Sequence, residues 1–382
     1  MKKKIVIMSE ALGGGVRRHI IDLIENLSKD KFEIYFMYNL DRADDIIKKQ
    51  IDYMREVGIK LIEIEGFNRK ISVNDIKAFI SIYKELKKIN PDIVHCHSSK
   101  AGAIGRVAAK LLGVKSIYYT PHAYYFQNPN SSNLKKRIYA IIESILSKGF
   151  TTKTINVSKG EKEIALSYKL DKEDKFCVIY NGIEDYKSVD KELNIKLRKE
   201  FNINPNDIVI GVIARLNEQK DPDTFVDIAK AVLEKYDNVK FLYVGDGDLF
   251  RHINERLSCE GLNKNIILTG FRKDTDEILN IFDIFLTTAL YEGMPYALIE
   301  ALRAKLPIVA TNTTGNNEVV DNGINGYLIN IQDSYDGFNK IDYLIKNRSK
   351  IDKLALESHR KYSMEFTLDN MILEYETLYN SI

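Results

Sequence analysis

Short apolar runs alternate with longer amphipathic segments along most of this chain. The runs in its first half are predicted strands: residues 4–8, 32–38, 60–64, 93–95, 116–119 and 154–157. The segments between them place apolar residues at helical spacing, for example in 17–27, 73–89 and 101–112. Continuously apolar strands that alternate with helices are typical of a parallel sheet covered on both faces. The pattern therefore predicts an α/β fold.

The alternation pauses once and then restarts. Residues 176–180 lead into a polar, charged stretch, 184–202, after which a second set of strands is predicted. These strands are 208–214, 239–244, 266–269, 284–287 and 308–311. The economical interpretation is two doubly wound domains, an N-terminal one over 1–183 and a C-terminal one over 184–365. Open parallel sheets bind ligands at the carboxyl ends of their strands, so we expect a ligand in the cleft between the domains.

The last segment, 366–382, is a predicted helix. Its apolar residues Met371, Ile372, Tyr375 and Leu378 recur at helical spacing. Such a helix needs a surface to pack against.

Composition and charge limit the classes of function. Of the 382 residues, 45% are hydrophobic and 29% are charged, which is ordinary for a globular protein and excludes a disordered chain. The 56 Lys and Arg residues nearly balance the 54 Asp and Glu residues, which leaves a formal net charge of +2. No overall attraction to nucleic acid is expected, so any anion must be bound locally.

Cysteine usage and hydropathy favour a cytoplasmic location. Cys96, Cys177 and Cys259 are widely separated and form no CxxC pair, which argues against a disulfide framework. The apolar run 5–8 after the initial lysines is too short for a signal sequence and fits a buried strand. No apolar run of about twenty residues occurs, so no membrane-spanning helix is expected.

A glycine run follows the first predicted strand. Gly13, Gly14 and Gly15 precede a helix, where glycines let backbone N–H groups approach an anion at the positive end of the helix dipole. The dinucleotide-binding fingerprint fails, because Arg18 occupies the position of its third glycine. A tight turn without a ligand is the alternative interpretation.

Two cations follow the strand at 208–214. Arg215 and Lys220 are positioned to clamp a diphosphate, since arginine offers a fork of donors and lysine a point charge. A solvated loop is the alternative interpretation of this pair.

The segment from Tyr291 to Glu300 is the strongest candidate site. Gly293 permits an unusual turn, and Pro295 suits the first turn of the helix that follows. The predicted buried face of that helix consists of Ala297, Leu298, Ala301 and Leu302. Its N-terminal amides can receive a phosphate just after Glu292, and Glu300 can accept two hydrogen bonds from a ribose diol. The alternative is a helix-terminal carboxylate and an unrelated surface glutamate.

Further motifs accompany these three segments in a fixed order. Glu292 and Glu300 form a Glu-x7-Glu pattern. The other motifs are Gly13–Gly15, 92–97, 120–122, 179–183, the Arg215/Lys220 pair, 244–247 and 269–271. Each is weakly specific, but together they extend over nearly the whole chain. The set resembles the family 4 glycosyltransferases of the two-domain GT-B architecture.

The resemblance implies roles for individual residues. Arg215 and Lys220 would hold the diphosphate of a nucleotide-sugar donor, and Glu300 would bind its ribose. Glu292 would contact the donor sugar, as would His122 of the N-terminal domain, near the bond that breaks. The other donor-binding residues implied are Gly14, Gly15, Gly270, Phe271, Arg272, Gly293, Met294, Pro295 and Tyr296. The C-terminal helix would pack back on the N-terminal domain.

The resemblance also implies the reaction. Such enzymes transfer a sugar with retention of configuration and need neither a divalent metal nor another cofactor, since fixed cations and helix amides can stabilise the departing diphosphate. We expect a UDP-hexose or UDP-N-acetylhexosamine donor. The expected acceptor is a glycan or lipid-linked sugar in capsule, exopolysaccharide or related surface-glycan synthesis.

Alternative functions remain open at this point. A nucleotide-sugar 2-epimerase shares the fold, but the Glu-x7-Glu pattern with the Arg/Lys pair favours a transferase. A non-catalytic partner subunit of a transferase would be indicated by loss of a key residue, and none of those named above is missing. A metal site at His95 and His97, which share one strand face, lacks a third ligand nearby in sequence.

Segment 134–146 suggests contact with an anionic membrane. It begins with Lys135, Lys136 and Arg137 and then places isoleucines on one helical face, next to the aromatic run 124–126. We expect reversible docking at the inner face of the cell membrane. In the alternative interpretation, the isoleucines cover the sheet of their own domain.

Overall fold

The computed structural model describes residues 2–40, 45–67, 73–128, 131–185 and 191–381. By its internal contacts the chain divides into two units. Unit 1 consists of Met1–Asn181 and Leu368–Ile382, and unit 2 is Gly182–Thr367. The domain boundaries expected from the sequence lie two residues away from these divisions.

Unit 1 contains a parallel sheet with helices between its strands. Within the described residues the strands are β1 (Lys3–Ser9), β2 (Phe32–Tyr38), β3 (Lys60–Glu63), β4 (Ile93–His97), β5 (Ser116–Thr120), β6 (Lys153–Asn156) and β7 (Phe176–Val178). Their order in the sheet is β3-β2-β1-β4-β5-β6-β7. The helices are α1 (Gly14–Asn26), α2 (Asp45–Glu56), α3 (Asn74–Ile89), α4 (Ser99–Leu111), α5 (Asn133–Phe150), α6 (Lys159–Ser167) and, at the end of the chain, α15 (Leu368–Asn380).

Unit 2 repeats this plan. Its described strands are β8 (Ile208–Ile213), β9 (Val239–Val244), β10 (Ile266–Gly270), β11 (Ile284–Thr287), β12 (Ile308–Thr311) and β13 (Gly326–Ile329), in the sheet order β10-β9-β8-β11-β12-β13. Its helices are α7 (Lys191–Glu200), α8 (Pro222–Leu233), α9 (Phe250–Cys259), α10 (Thr275–Leu279), α11 (Tyr296–Arg303), α12 (Asn316–Val319), α13 (Ser334–Lys346) and α14 (Arg348–Glu365).

Strand register brings the candidate residues of each unit to one sheet edge. In unit 1, Ser9 of β1 pairs with His97 of β4, which in turn pairs with Thr120 of β5. In unit 2, Ile213 of β8 pairs with Val244 of β9. Because all these pairs are parallel, the loops that follow the strands emerge together at the carboxyl edge.

Helix α15 belongs to unit 1 through its apolar face. Leu368, Met371, Tyr375 and Tyr379 are buried in the same core cluster as residues of β1 and α1. The terminal helix therefore completes the N-terminal core, although it is far away in sequence.

The predicted parallel α/β architecture is confirmed, and β2, β9, β11 and β12 have the predicted bounds. Strand β13 was missed because its apolar run is only 327–329; the strand begins at Gly326, where a Cβ would lie 2.1 Å from the Ile308 carbonyl oxygen. The stretch 184–202 was interpreted as lying between domains, but it contains α7 of unit 2, whose buried face is the single residue Leu197. Residues 186–190 of that stretch lie outside the described residues.

No helix in the described ranges is long and apolar enough to cross a membrane.

Candidate active site

The loop after β8 supplies the first candidate cation of unit 2. The Arg215 guanidinium is exposed and forms no ion pair or hydrogen bond with any residue that the structure describes. Its backbone is fixed, because the Tyr243 hydroxyl donates to the Arg215 carbonyl at 3.2 Å. The residues lining an open depression of about 460 Å³ here are Arg215, Asn217, Asp246, Gly247 and Asp248. Arg215 is therefore available to bind an anion.

Lys220 and Glu292 are brought together from positions 72 apart in the chain. The Lys220 ammonium forms an ion pair with the Glu292 carboxylate, and the two side chains are only 20% and 10% exposed. Gln219 joins the same two loops, since its side-chain amide donates to the Tyr291 carbonyl at 2.9 Å and its backbone carbonyl accepts the Leu290 N–H at 2.8 Å. The structure thus unites two segments that the sequence presented separately.

Glu292 precedes α11, and Glu300 lies within that helix. Both carboxylates are largely buried. Pro295 is the N-cap residue, one position before the first helical turn in which it was predicted, and no side-chain hydrogen bond caps this end of the helix. The Leu298 N–H of the first turn donates to the Pro295 carbonyl at 3.2 Å, and no side chain opposes the positive end of the helix dipole, which favours an anion.

A glycine that sequence reasoning missed packs against this segment. Gly315 follows β12 with a φ of 82°, and a Cβ there would lie 2.3 Å from the carbonyl oxygen of Gly293. The buried atoms Thr313 Oγ1 of the same loop and Asn316 Oδ1 at the start of α12 have no hydrogen-bond partner among the described residues. The loop thus holds unused hydrogen-bonding capacity beside Gly293.

The donor-binding residues expected at 270–272 begin at the last residue of β10. Gly270 has a φ of 69° and accepts the Gly245 N–H at 3.0 Å, and the Phe271 side chain is 63% exposed. Arg272 forms ion pairs with Asp274 and Glu200, both at 2.6 Å. These hydrogen bonds hold the pKa of Arg272 above its ordinary value. The Arg272 side chain is therefore engaged within unit 2.

In unit 1, the glycine run forms the N-terminus of α1. Gly13 is the N-cap, Gly14 has a φ of 60°, and no side chain caps this helix. The neighbouring helix α4 differs, because the carboxylate of Glu10 accepts the Ala101 N–H at 2.9 Å and so occupies that N-terminus. The α1 end is thus the better candidate for an external anion.

Four of the six histidines of the chain lie together in unit 1; we call His19, His95, His97 and His122 the histidine cluster. Helix α15 supplies hydrogen bonds to two of them. The hydroxyl of Tyr375 lies 3.1 Å from His19 Nε2, and that of Tyr379 lies 2.6 Å from His95 Nδ1. The terminal helix therefore holds the cluster in place.

Burial keeps the histidine cluster uncharged. It lowers the pKa of His19 to about 4 and places the pKa values of His95, His97 and His122 well below their ordinary value, with neighbouring histidines adding to the effect. These imidazoles are therefore neutral near pH 7 and can each donate one hydrogen bond and accept another.

The cluster changes the metal interpretation made from the sequence. The residues that can meet at one ion are His19, His97 and His122, with ligand atoms within 4.8 Å of one another. Three imidazoles suit Zn²⁺, Cu²⁺ or Ni²⁺ chemically. However, both ring nitrogens of His19 are already hydrogen-bonded, to Asn181 at 2.9 Å and to Tyr375. An ion would have to displace one of these bonds and also the bond between His97 and His122, so the residues fit a hydrogen-bond network better.

Three residues, one in unit 1 and two in unit 2, were missed at the sequence level. Glu161 of α6, described below, lies three residues after the N-cap Ser158, whose side chain accepts the Glu161 N–H, and this Ser-x-x-Glu pattern is visible in the sequence. Gly315 follows a predicted strand, where a glycine signals a turn. Gln219 carries no signal, because its partner lies in another loop.

Two family models match the chain in succession. The model for Glycosyltransferase Family 4 matches residues 13–186, and the model for Glycosyl transferases group 1 matches residues 194–361. The first match falls largely in unit 1 and the second in unit 2.

The curated relatives include glycosyltransferases. The chain is 33% identical to UDP-Gal:alpha-D-GlcNAc-diphosphoundecaprenol alpha-1,3-galactosyltransferase of Escherichia coli, over 84% of this chain and 81% of the relative. It is 24% identical to the capsular polysaccharide biosynthesis glycosyltransferase CapM of Staphylococcus aureus, over 91% of this chain and 97% of that protein.

Solved structures share the fold. Anabaena HepE in complex with UDP and glucose has a TM-score of 0.84 at 19% identity, with 100% of both chains covered. A glycosyltransferase from Rickettsia africae has a TM-score of 0.83 at 25% identity, with 99% of this chain and 98% of that one covered. The chain belongs to the family 4 glycosyltransferases, and its two doubly wound units are the two domains of their GT-B fold.

Proposed function

We propose that this chain transfers a hexose or N-acetylhexosamine from a UDP-linked donor to a lipid-linked sugar during surface-glycan synthesis. The name of the Escherichia coli relative specifies UDP-Gal as donor and a GlcNAc-diphosphoundecaprenol as acceptor. CapM belongs to capsular polysaccharide biosynthesis, and the HepE structure contains UDP and glucose. These relatives support the class of donor and acceptor rather than one particular sugar.

The observation that carries the proposal is the arrangement around the Lys220–Glu292 ion pair. It combines two cations, Arg215 and Lys220, with the uncapped N-terminus of α11 and the buried carboxylate of Glu300. Cations and amides together match a diphosphate, and a carboxylate on the following helix matches a ribose diol. We assign Glu292 and His122 to the transferred sugar.

The reaction proceeds with retention in this proposal. The bond between the anomeric carbon and the diphosphate oxygen breaks, and the acceptor hydroxyl oxygen bonds to the same carbon on the same face. The acceptor proton passes to the departing phosphate oxygen. Arg215, Lys220 and the α11 amides stabilise the growing phosphate charge, which is the task of a divalent metal in other enzymes, so we propose that none is required.

A donor screen with product analysis tests this function. UDP-glucose, UDP-galactose and their N-acetylated forms are supplied with a lipid-linked acceptor in EDTA, and GDP-mannose serves as the control donor. We expect transfer from one UDP-sugar, and proton NMR of the fresh product should show the α configuration of the donor. A β product, or strict dependence on Mg²⁺, would contradict the proposal.

The proposed acceptor lies at the cytoplasmic face of a membrane, and α5 offers a surface suited to anionic lipid. The aliphatic residues exposed on one face of α5 are Leu134 (69%), Ile138 (46%), Ile141 (61%), Ile142 (43%) and Ile145 (58%). They do not cover the sheet of unit 1, as the alternative interpretation required; the buried residues of α5 are Ala140, Leu146 and Ser147. Lys135, Lys136 and Arg137 at the start of the helix match a negative leaflet, at roughly 1 kcal/mol for each residue near the surface.

Liposome sedimentation tests the membrane contact. Binding should require anionic lipid, fall with salt, and be lost in Lys135→Glu/Lys136→Glu and in Ile141→Ser/Ile145→Ser. Leu356→Ser is the matched control, because Leu356 is 68% exposed on α14 of unit 2. Absence of binding to anionic vesicles at low salt would reject the membrane contact and leave the transferase assignment intact.

A further inference from the structure

His122 is presented by a strained turn after β5. The φ angles of His122 and Ala123 are 54° and 81°, so two successive residues that carry a Cβ adopt left-handed backbone conformations. Such conformations cost free energy and persist only where surrounding contacts hold them, often at functional sites. The contacts that hold this turn are therefore informative.

Glu161 holds the backbone of the turn. Its Oε1 accepts the Ala123 N–H at 2.5 Å, while its Oε2 accepts the Val157 N–H at 2.9 Å and the Asn156 side-chain amide at 3.2 Å. The residue is fully buried in the first turn of α6, where Ser158 accepts its backbone N–H at 3.1 Å. A buried carboxylate bound on both oxygens is fixed, so it ties the start of α6 to the turn.

The Glu161 carboxylate also affects Tyr124, the residue that follows the turn. Burial raises the pKa of the neighbouring Tyr124 hydroxyl well above its ordinary value, and the charge of Glu161 raises it further. Tyr124 therefore stays protonated, and its hydroxyl oxygen accepts a hydrogen bond from the Asn156 amide at 3.2 Å. The turn is thus surrounded by an ordered polar network.

His97 holds the ring of His122. The Nδ1 of His97 lies 3.0 Å from the Nε2 of His122, and both rings are neutral, so one nitrogen donates and the other accepts. The other nitrogen of His97, Nε2, is buried without a hydrogen-bond partner among the described residues. A buried N–H without an acceptor is rarer than an under-used acceptor, which places the proton of His97 on Nδ1. His122 then accepts at Nε2 and carries its own proton on Nδ1.

We propose that Glu161 and His97 are positioning residues for His122: Glu161 fixes the turn, and His97 fixes the ring in the tautomer whose Nδ1–H can donate to an oxygen of the donor. The proposal rests on the proposed function, in which His122 contacts the transferred sugar. Both residues act through His122 and not on the donor itself.

Variants of the full chain test the positioning role. Glu161→Gln keeps the side-chain shape but replaces one acceptor oxygen by a donor. We expect kcat to fall roughly tenfold or more, because a small displacement of a catalytic group slows the reaction to that extent. His97→Leu should have a similar effect, whereas His97→Asn, which can offer an N–H near the Nδ1 position, should restore part of the rate. The matched control is Glu163→Gln, since Glu163 is exposed on the same helix and should not alter kcat.

Two further readouts separate positioning from a merely structural role. The Kd of UDP from calorimetry should stay near wild type, because Arg215, Lys220 and Glu300, which are assigned to the diphosphate and the ribose, lie in unit 2. The thermal unfolding midpoint of Glu161→Gln should fall, since a buried hydrogen bond is lost, so kcat is compared at a temperature where both proteins are folded. In the wild-type protein, ¹⁵N NMR should show the Nδ1–H tautomer for His122, with the signal identified by its loss in His122→Ala. This measurement needs no variant of Glu161 or His97 to fold.

The outcomes distinguish the two proposals. Wild-type kcat in folded Glu161→Gln and His97→Leu, with an inactive His122→Ala, would overturn the positioning role and leave the proposed function intact. An Nε2–H tautomer of His122 would overturn the role assigned to His97. Full activity of His122→Ala would remove His122 from the site and end the positioning proposal with it.

Discussion

At the scale of single residues, the candidate site in unit 2 uses its two cations differently. Lys220 is held by the carboxylate of Glu292, whereas the exposed Arg215 has no ionic partner among the residues that the structure describes. A diphosphate can thus meet Arg215 directly, but it must share Lys220 with Glu292. Replacement of each of these residues should therefore have a distinct effect.

Loss of either cation should slow the reaction more than it affects folding. Arg215→Ala and Lys220→Ala each remove positive charge that faces growing negative charge in the transition state, which typically costs on the order of 3 kcal/mol of barrier. The measurement is kcat with the active UDP-sugar, with urea unfolding as the control. Near wild-type rates in both folded variants would place the diphosphate elsewhere.

Substitutions of Glu300 and Glu292 should affect UDP affinity and reaction rate differently. Glu300→Ala should mainly weaken UDP binding, because Glu300 is assigned to the ribose. Glu292→Gln should lower the rate with UDP affinity kept or raised, since it also frees Lys220 from its carboxylate partner. Calorimetry with UDP and steady-state kinetics measure the two effects. The reverse pattern, with weak binding in Glu292→Gln and a slow reaction in Glu300→Ala, would exchange the assigned roles.

At the scale of elements, the parallel strands decide where the site forms, and the loops after them decide its shape. The loops after β8, β11 and β12 meet because Gln219 bonds Tyr291 and Gly315 packs on Gly293. Gly315 leaves no room for a side chain, because an added Cβ would lie 2.3 Å from the Gly293 carbonyl oxygen. A Cβ at this position cannot be accommodated without displacement of the segment ahead of α11.

Gly315→Ala should therefore reduce both stability and rate. Gly323 provides a matched control, because it has the same φ of 82° but nothing within 4 Å of an added Cβ. Gly323→Ala should cost about 1 kcal/mol of unfolding free energy from backbone strain and keep the rate. Gly315→Ala should cost more and slow turnover. Urea unfolding and kcat measure the difference, and equal effects of the two substitutions would argue against the close contact.

The sequence predicts these elements unevenly, for physical reasons. Continuous apolar runs are visible in sequence, so β2, β9, β11 and β12 were predicted with the observed bounds. The motif containing Glu292 was found because its glycine, proline and helix pattern are local. The Lys220–Glu292 pair and the bond from Glu161 to Ala123 were not predictable, because each depends on how separate loops pack.

At the scale of the whole molecule, folding depends on keeping charge out of the unit 1 core. His19, His95 and His97 are fully buried and His122 is half-buried, and all four stay neutral because desolvation lowers their pKa values. In the unfolded chain these residues titrate near 6.5. Protonation is thus coupled to unfolding in a defined pH window.

Stability should fall as the pH decreases from about 6.5 towards 4. The folded-state pKa values lie below the unfolded ones, so in this window the unfolded chain binds more protons than the folded chain and the free energy of unfolding falls with the pH. Above pH 6.5 the stabilisation is fully present. Urea unfolding from pH 7 to pH 4.5 measures this slope, and His252→Gln, which alters a side chain 59% exposed in unit 2, should leave it unchanged. A flat profile would contradict the neutral, buried cluster.

The central claim is that unit 2 holds the diphosphate of a UDP-linked donor with its own cations, and UDP calorimetry in EDTA tests it most directly. The account predicts that UDP binds to the wild-type protein in EDTA, that GDP binds more weakly, and that Lys220→Ala weakens the binding of UDP. Tighter binding of GDP than of UDP, or UDP binding that disappears in EDTA and returns with Mg²⁺, would contradict it.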